Sequence, residues 1–389
     1  MLTVTLIFSS NVQNCTIINL KEHKFNFDIE NFCNGIAVNY ADFVGVESLT
    51  NLQINTVGHA VLGPSHLELR CSYNPESGDD IFSIDISAEL NSQFRTIVAF
   101  YPENRRKDGT LRIDGNYLNG RVTMNNPKQS SNVAVLIFNE TECIDETKYK
   151  CRVTYDSDMG TQTKESVPIA IVVEGNPAEP DSVPIYIPSV VEEGNTVVFT
   201  CTGNVGKPQG KFRWILYRRN ANGITIQESP YENETTTEVQ MPGTCTFNGT
   251  SQLTLQMESL DNNAIVRCQV VYQDVPQGHL YKQTMNINVY YSVRNVTAAK
   301  TKLNDTYGPG CITLTCTSDG NPAVRNEDYR WYKMSQQYIV IGTGSQLTVT
   351  NATVGESDVY LCVAQNSFNG KTFSSNSSIE IKIGKILQS

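Results

Sequence analysis

The chain has 389 residues, a formal net charge of −10 and a pI near 5.0. It is too long for a single β-domain of about 100 residues, so several domains are expected. Its acidity provides no basic stripe to displace the counterions of a nucleic acid. Charged residues make up 18% and hydrophobic ones 39%; with 18 Tyr, 14 Phe and many Val, Ile and Thr, this composition suits several small β-rich cores.

Residues 1–50 stand apart from the rest of the chain. Met1-Leu-Thr-Val-Thr-Leu-Ile-Phe8 is apolar but short, with no basic residue ahead of it. It reads either as a clipped secretory signal or as a first strand. Cys15 and Cys33 lie close together, and a local bridge between them is expected. The segment is either the remnant of a signal or preceding domain, or a strand added to the next unit.

The first repeating unit is expected over 51–174. Leu67-Glu-Leu-Arg-Cys71 alternates as a half-buried strand, and Phe82-Ser-Ile84-Asp-Ile86 alternates again. Gly120-Arg-Val-Thr123 and Asp145-Glu-Thr-Lys-Tyr149-Lys-Cys151 come next. Pro177, Pro180 and Pro184 then mark an extended, stiff linker. The second unit, 184–291, carries Thr196-Val-Val-Phe-Thr-Cys201, Lys211-Phe-Arg-Trp214-Ile-Leu-Tyr217, Gln252-Leu-Thr-Leu-Gln256 and Ile265-Val-Arg-Cys268. It meets the third, 292–384, with no spacer, so that joint is expected to be the more rigid. The third unit carries Cys311-Ile-Thr-Leu-Thr-Cys316, Tyr329-Arg-Trp331-Tyr-Lys, Gln346-Leu-Thr-Val-Thr350, Val359 to Ala364, and Ile379-Glu-Ile-Lys-Ile383 with period-two alternation.

Three spaced elements coincide in the third unit: Cys316, then Trp331, then Tyr360 two residues before Cys362. The second has Cys201, Trp214 and Cys268, with Val266 in the Tyr place; the first has Cys71, Tyr149 and Cys151 but no Trp. Gly206-Lys-Pro208 precedes Trp214, and Asp319-Gly-Asn-Pro322 precedes Trp331. On these residues, 51–384 resembles an immunoglobulin-superfamily ectodomain of the nectin, nephrin and irregular-chiasm adhesion-receptor kind. The resemblance implies an all-β chain of three tandem immunoglobulin-like β-sandwiches, the first variable-like, the third intermediate or constant-like. It implies inter-sheet disulfides Cys71–Cys151, Cys201–Cys268 and Cys316–Cys362. It places Ile84 where the other units have Trp, and pairs Arg121 with Asp145.

Cys143, Cys245 and Cys311 remain. Cys143 precedes the turn at Asp145, and Cys245 precedes the Leu253 strand, at ends that face each other in a tandem array. A bridge between them would lock the elbow of the first two domains. Cys311 would then be odd, either free or bridging another chain. Sequons begin at Asn14, Asn139, Asn233, Asn248, Asn295, Asn304, Asn351 and Asn376. With the cysteines they point to an extracellular chain, secreted or a cell-surface ectodomain. No apolar run is long enough to span a membrane, so no anchor is expected in this chain.

Machinery for turnover is not expected: there is no nucleophile elbow, phosphate loop or paired-acid motif. His23, His59, His66 and His279 show no ligand spacing, so no zinc and no cofactor are expected; Asp79-Asp80 reads as an exposed loop rather than a calcium site. Arg105-Arg-Lys107 and Arg218-Arg219 read as solvated turns, with contact to an acidic partner as the functional alternative.

Related receptors bind through the exposed sheet of the outermost domain. With Ile84 and Cys151 inward, Ser83, Asp85, Ser87, Lys150, Arg152 and Thr154 point outward here, joined by Ile97, Ala99 and Tyr101 on the next strand. The expected function is protein binding in adhesion or recognition, the partner being a second copy or a related immunoglobulin-domain receptor. The alternative is a secreted, lectin-like immune factor recognising glycans on pathogens.

Overall fold

The computed structural model describes residues 49–102, 109–128, 132–158, 160–232, 234–301, 311–336, 339–350 and 354–382. The expectations for Cys15, Cys33, His23, Asn14, Asn233, Asn304, Asn351 and Arg105 to Lys107 lie outside the described residues. Three β-sandwiches are strung one after another. The first contains β1 (Thr50–Val57), β2 (Gly63–Asn74), β3 (Asp80–Leu90), β4 (Gln93–Phe100), β5 (Thr110–Leu111), β6 (Val122–Asn125), β7 (Val133–Thr141), β8 (Lys148–Ser157), β9 (Gly160–Glu165) and β10 (Ile169–Ala170). One sheet runs β1-β2-β7-β6; the other runs β10-β8-β3-β4-β5, with β9 also on β8. Period-two alternation sorts the side chains: Leu67, Leu69, Cys71 and Tyr73 of β2 are buried against Tyr149, Cys151, Val153 and Tyr155 of β8.

The second sandwich contains β11 (Ile185–Ile187), β12 (Val191–Glu192), β13 (Thr196–Gly206), β14 (Lys211–Arg219), β15 (Thr225–Tyr231), β16 (Thr236–Gln240), β17 (Phe247–Gln256), β18 (Ile265–Tyr272) and β19 (Val275–Gln283). Its sheets run β11-β13-β17-β16 and β15-β14-β18-β19. Then β20 (Val289–Lys300) leads to β21 (Ile312–Asn321), β22 (Tyr329–Lys333), β23 (Gly342–Thr343), β24 (Gln346–Val349), β25 (Asp358–Phe368) and β26 (Lys371–Ile381). These form β12-β20-β21-β24 and β23-β22-β25-β26.

Disulfides join Cys71 to Cys151, Cys201 to Cys268 and Cys316 to Cys362, with Cα atoms 6.1, 6.5 and 6.4 Å apart. Trp214 pairs across from Cys268 and Trp331 across from Cys362. In the first sandwich the residue opposite Cys151 is Ile86, whereas Ile84 faces Val153. The core place that Trp fills elsewhere therefore belongs to Ile86, not Ile84. Equal spacing from the first Cys does not carry over, because Ile86 lies six residues into β3 whereas Trp214 lies three into β14. Both Ile84 and Ile86 are fully buried.

Each sandwich closes its lower end with an acid–base pair. Arg121 Nη1 donates to Asp145 Oδ2 at 2.7 Å and Nη2 to Oδ1 at 3.2 Å, and the carboxylate also accepts from Glu142 N. Arg218 Nε donates to Asp261 Oδ1 at 2.7 Å, and Lys333 pairs with Glu356. Tyr149 and Tyr360 hydroxyls donate to the Asp145 and Glu356 carbonyls at 2.9 and 3.0 Å. The second sandwich lacks that Tyr and keeps the ion pair.

The two joints are built differently. At the first, the Pro-rich segment lies along the free edge of β13. Gly175 and Lys207 exchange two backbone bonds (2.9 and 2.7 Å), Ala178 N donates to Asn204 O and Asp181 N to Thr202 O, and β11 continues the ladder. Gly206, at φ +85°, admits this approach: a Cβ there would lie 2.7 Å from the Tyr272 ring and 2.8 Å from Gly175 O. A disulfide joins Cys143 to Cys245, Cα atoms 5.5 Å apart, and Cys245 packs into the first core. At the second joint, the single strand β20 pairs β12 of the second sandwich and then, with register shifts between Tyr291 and Thr297, β21 of the third, so residues 291 and 292 lie inside one strand. Buried Asn366 ties this strand down, donating to Tyr291 O and Pro322 O and accepting from Val293 N, each at 3.0 Å.

Candidate functional site

The outward face of β9-β8-β3-β4-β5 holds a cross-strand row of Glu165, Arg152, Asp85, Ala99 and Thr110. Arg152 Nη2 donates to Asp85 Oδ2 at 3.0 Å. Asp85 is 8% exposed, while the Arg152 side chain is 39% exposed. Asp85 Oδ1, Arg152 Nε and Thr110 Oγ1 are buried without a hydrogen-bond partner. Each such atom carries an unmatched desolvation cost of about 1–3 kcal/mol, so three in one row mark a place not optimised for stability.

Beside this row, Lys150 Nζ donates to Glu165 Oε2 at 2.6 Å and sits 4.7 Å from the Phe94 ring centre. Ser87 and Thr96 hydroxyls meet at 3.4 Å, and Thr154 stands between Ser83 and Thr163. Tyr101 lies at the margin, its hydroxyl accepting from Arg112 Nη2 at 3.0 Å. The face is thus a half-buried polar surface with its charges in opposite-sign pairs. Asn139, the described sequon of this sandwich, lies on β7 of the other sheet, so a glycan there leaves the face open.

Ile97 does not belong to this surface. A β-bulge between Ile86 and Ser87 pairs Val98 with Ile86 and Thr96 with Ser87, leaving Ile97 as the extra residue. It is fully buried beneath the 3-10 turn Ile113–Leu118, where Arg112 N donates to its carbonyl at 2.8 Å. Ala99 points outward but is also fully buried. Sequence reasoning did not name Phe94, Thr110, Thr163 or Glu165. The strand Gly160-Thr-Gln-Thr-Lys-Glu165 is polar on both faces and has no hydrophobic period to reveal it.

Other candidates are absorbed by the fold. Asp79 Oδ2 accepts from Leu49 N and Glu76 N, which makes it a turn cap. Arg218 serves Asp261, and Arg219 donates to Gly223 O and Asn286 Oδ1. Among the described residues no three His, Cys, Asp or Glu side chains gather as metal ligands, and no helix is long and apolar enough to cross a membrane. Cys311 is a partly buried free thiol. Asn295 and Asn376 are exposed and Asn248 is half-buried.

The family of CD80-like C2-set immunoglobulin domains matches residues 184–277. Cell adhesion molecule 2 of Xenopus tropicalis is 26% identical over 230 residues, covering 57% of this chain and 47% of that relative. Human cell adhesion molecule 4 is 23% identical over 192 residues, 48% of this chain and 44% of that relative. The chain thus carries a C2-set immunoglobulin domain at 184–277 and is similar, over about half its length, to cell adhesion molecules. It spans about half the length of these curated relatives. Among solved structures, the full ectodomain (Ig1 to Ig3) of mouse nectin-like molecule 4 superposes with a TM-score of 0.50 at 18% identity, covering 85% of this chain and 99% of that one. That likeness concerns the fold alone: three immunoglobulin sandwiches in a row.

Proposed function

We propose that this immunoglobulin-superfamily chain is an extracellular adhesion or recognition module, without enzymatic activity, that binds a protein partner through the outward sheet of its first sandwich. The reading takes domains at 51–174, 184–291 and 292–384, glycans at exposed sequons, and a second copy or a related immunoglobulin-domain receptor as the partner. The names of the relatives, cell adhesion molecules, support the class. The observation that carries the choice of face is the row of Thr110, Asp85 and Arg152 with unused buried hydrogen-bonding atoms. The row costs the sandwich stability, as a face kept for contact does, and the accessible charges of Lys150, Glu165 and Arg152 set a partner's register. A weak contact of under about 1,200 Å² suffices when many copies act together.

Beads coated with the full chain test this, alone and mixed with beads bearing related immunoglobulin ectodomains. Clustering is expected, and it is lost on Thr154→Arg, which puts bulk on the face, and on Tyr101→Ala at its margin. Unchanged clustering by both variants refutes the face. Absence of clustering together with binding on a glycan array refutes the adhesion reading in favour of a lectin-like factor.

A further inference from the structure

The second sandwich carries a different polar cluster on the outward face of β15-β14-β18-β19. Arg267 of β18 lies between two aromatic rings taken diagonally from its neighbours. Its guanidinium carbon is 4.8 Å from the ring centre of Tyr217 on β14 and 3.9 Å from that of Tyr281 on β19. Nε and Nη2 both donate to Gln283 Oε1, at 3.1 and 2.9 Å. One edge of the guanidinium fork is thereby fixed. Nη1 and the second hydrogen of Nη2 have no partner among the described residues, and neither do the hydroxyls of Tyr217 and Tyr281. Burial pushes the Tyr217 phenol up, against the pull of Arg267, so its hydroxyl stays protonated as a donor. On the same face, Arg213 pairs with Glu232 at 3.1 Å while its Nε is buried without a partner, and Lys211 is exposed at the end of the strand.

We propose that this face is a second protein-contact site, at which Arg267 receives, end-on between Tyr217 and Tyr281, a side-chain carboxylate from an acidic segment of a protein partner. The free edge of a guanidinium presents two parallel N–H groups whose spacing matches the two oxygens of a carboxylate. The flanking rings hold the cation in place before the partner arrives, so little rotamer freedom is lost on binding. The tyrosine hydroxyls stand ready as further donors. Charge complementarity names the occupant. Lys211, Arg213 and Arg267 outnumber Glu228 and Glu232 on this face of a chain whose net charge is −10, so acidic surfaces, including those of a second copy, are what this face attracts. The site is separate from the first sandwich's sheet, and neither depends on the other.

The test is fluorescence anisotropy of a labelled octaglutamate peptide titrated with the full chain, beside labelled octaglutamine and a labelled sialylated trisaccharide. Octaglutamate is expected to bind about tenfold more tightly than octaglutamine, and Arg267→Gln to weaken it by about tenfold. Arg95→Gln removes the same charge from an exposed position on β4 and is expected to leave the titration unchanged. If Arg267→Gln melts below the parent chain, Tyr281→Leu carries the same expectation of weakened binding. Failure of octaglutamate to bind, equal losses in Arg95→Gln and Arg267→Gln, or preference for the sialylated trisaccharide each overturns the proposal.

Discussion

The first and third sandwiches share a frame and differ in how they treat buried polar groups. In the first, Ser72 Oγ, Asp85 Oδ1, Thr110 Oγ1, Thr141 Oγ1 and Arg152 Nε are buried without partners; among the described residues the third sandwich has no such atom. There Asn366 meets three backbone groups, Trp331 Nε1 donates to Gly344 O at 2.9 Å, and Tyr291 donates to Asp319 at 2.9 Å. A domain that only spaces and supports can satisfy every buried group. On the proposed reading, the first sandwich keeps some unused at a cost in its own stability.

The largest expected effect separates the two lower ends. Arg121→Met leaves Asp145, fully buried, without its counterion, and is expected to lower the first sandwich's unfolding free energy by about 3–5 kcal/mol in denaturant titration. Lys333→Met removes the counterpart in the third sandwich, where the Glu356 side chain is 34% exposed; less than about 1 kcal/mol is expected. Equal losses would erase the contrast. Asn366→Leu comes next. It strips the bonds of Tyr291 O, Pro322 O and Val293 N, and an unfolding loss of about 3 kcal/mol is expected.

Thr110→Val should act in the opposite direction. It removes an unpartnered hydroxyl while keeping the shape, so thermal unfolding should show a gain of about 0.5–1 kcal/mol, alongside weaker bead clustering. A loss of stability there would mean the hydroxyl is satisfied in solution. The smallest effect lies at the second joint. Burial alone would raise the Glu193 carboxyl, but the hydrogen bond and charge of Arg294 outweigh it and hold it below its ordinary value. Because the folded-state pKa is depressed, this contribution is present above the unfolded value of about 4.3 and is lost as pH falls through the folded value. Arg294→Gln should therefore flatten the acid limb of a stability–pH profile slightly and leave neutral pH nearly unchanged; an unaltered acid limb would assign that slope to other carboxylates.

Much of the fold was legible because cysteines, tryptophans and corner tyrosines sit at fixed places in a sandwich. Cys316, Trp331, Tyr360 and Cys362 name three strands by themselves. What escaped was decided by backbone geometry. Counting from Cys71 selected Ile84, while the register of β3 against β8 selects Ile86. Strict alternation put Ile97 on the surface, and one bulge turned it inward. The pairing of 175–181 along β13 uses main-chain groups that leave no mark in the side chains. At the candidate face, alternation brought out Asp85, Lys150, Arg152 and Thr154, but the residues across from Arg152 and Thr154 on the polar strand β9 could not be read until it had a place.

The most direct measurement is bead clustering by two matched charge reversals. Arg152→Glu alters the outward face of the first sandwich. Arg330→Glu alters exposed Arg330 on β22, which stands in the third sandwich where Asp85 stands in the first. Clustering about tenfold lower for Arg152→Glu and unchanged for Arg330→Glu, both read at a temperature where each protein is folded, is the predicted result. Equal clustering by the two variants, or loss in Arg330→Glu alone, would contradict binding through the first sandwich.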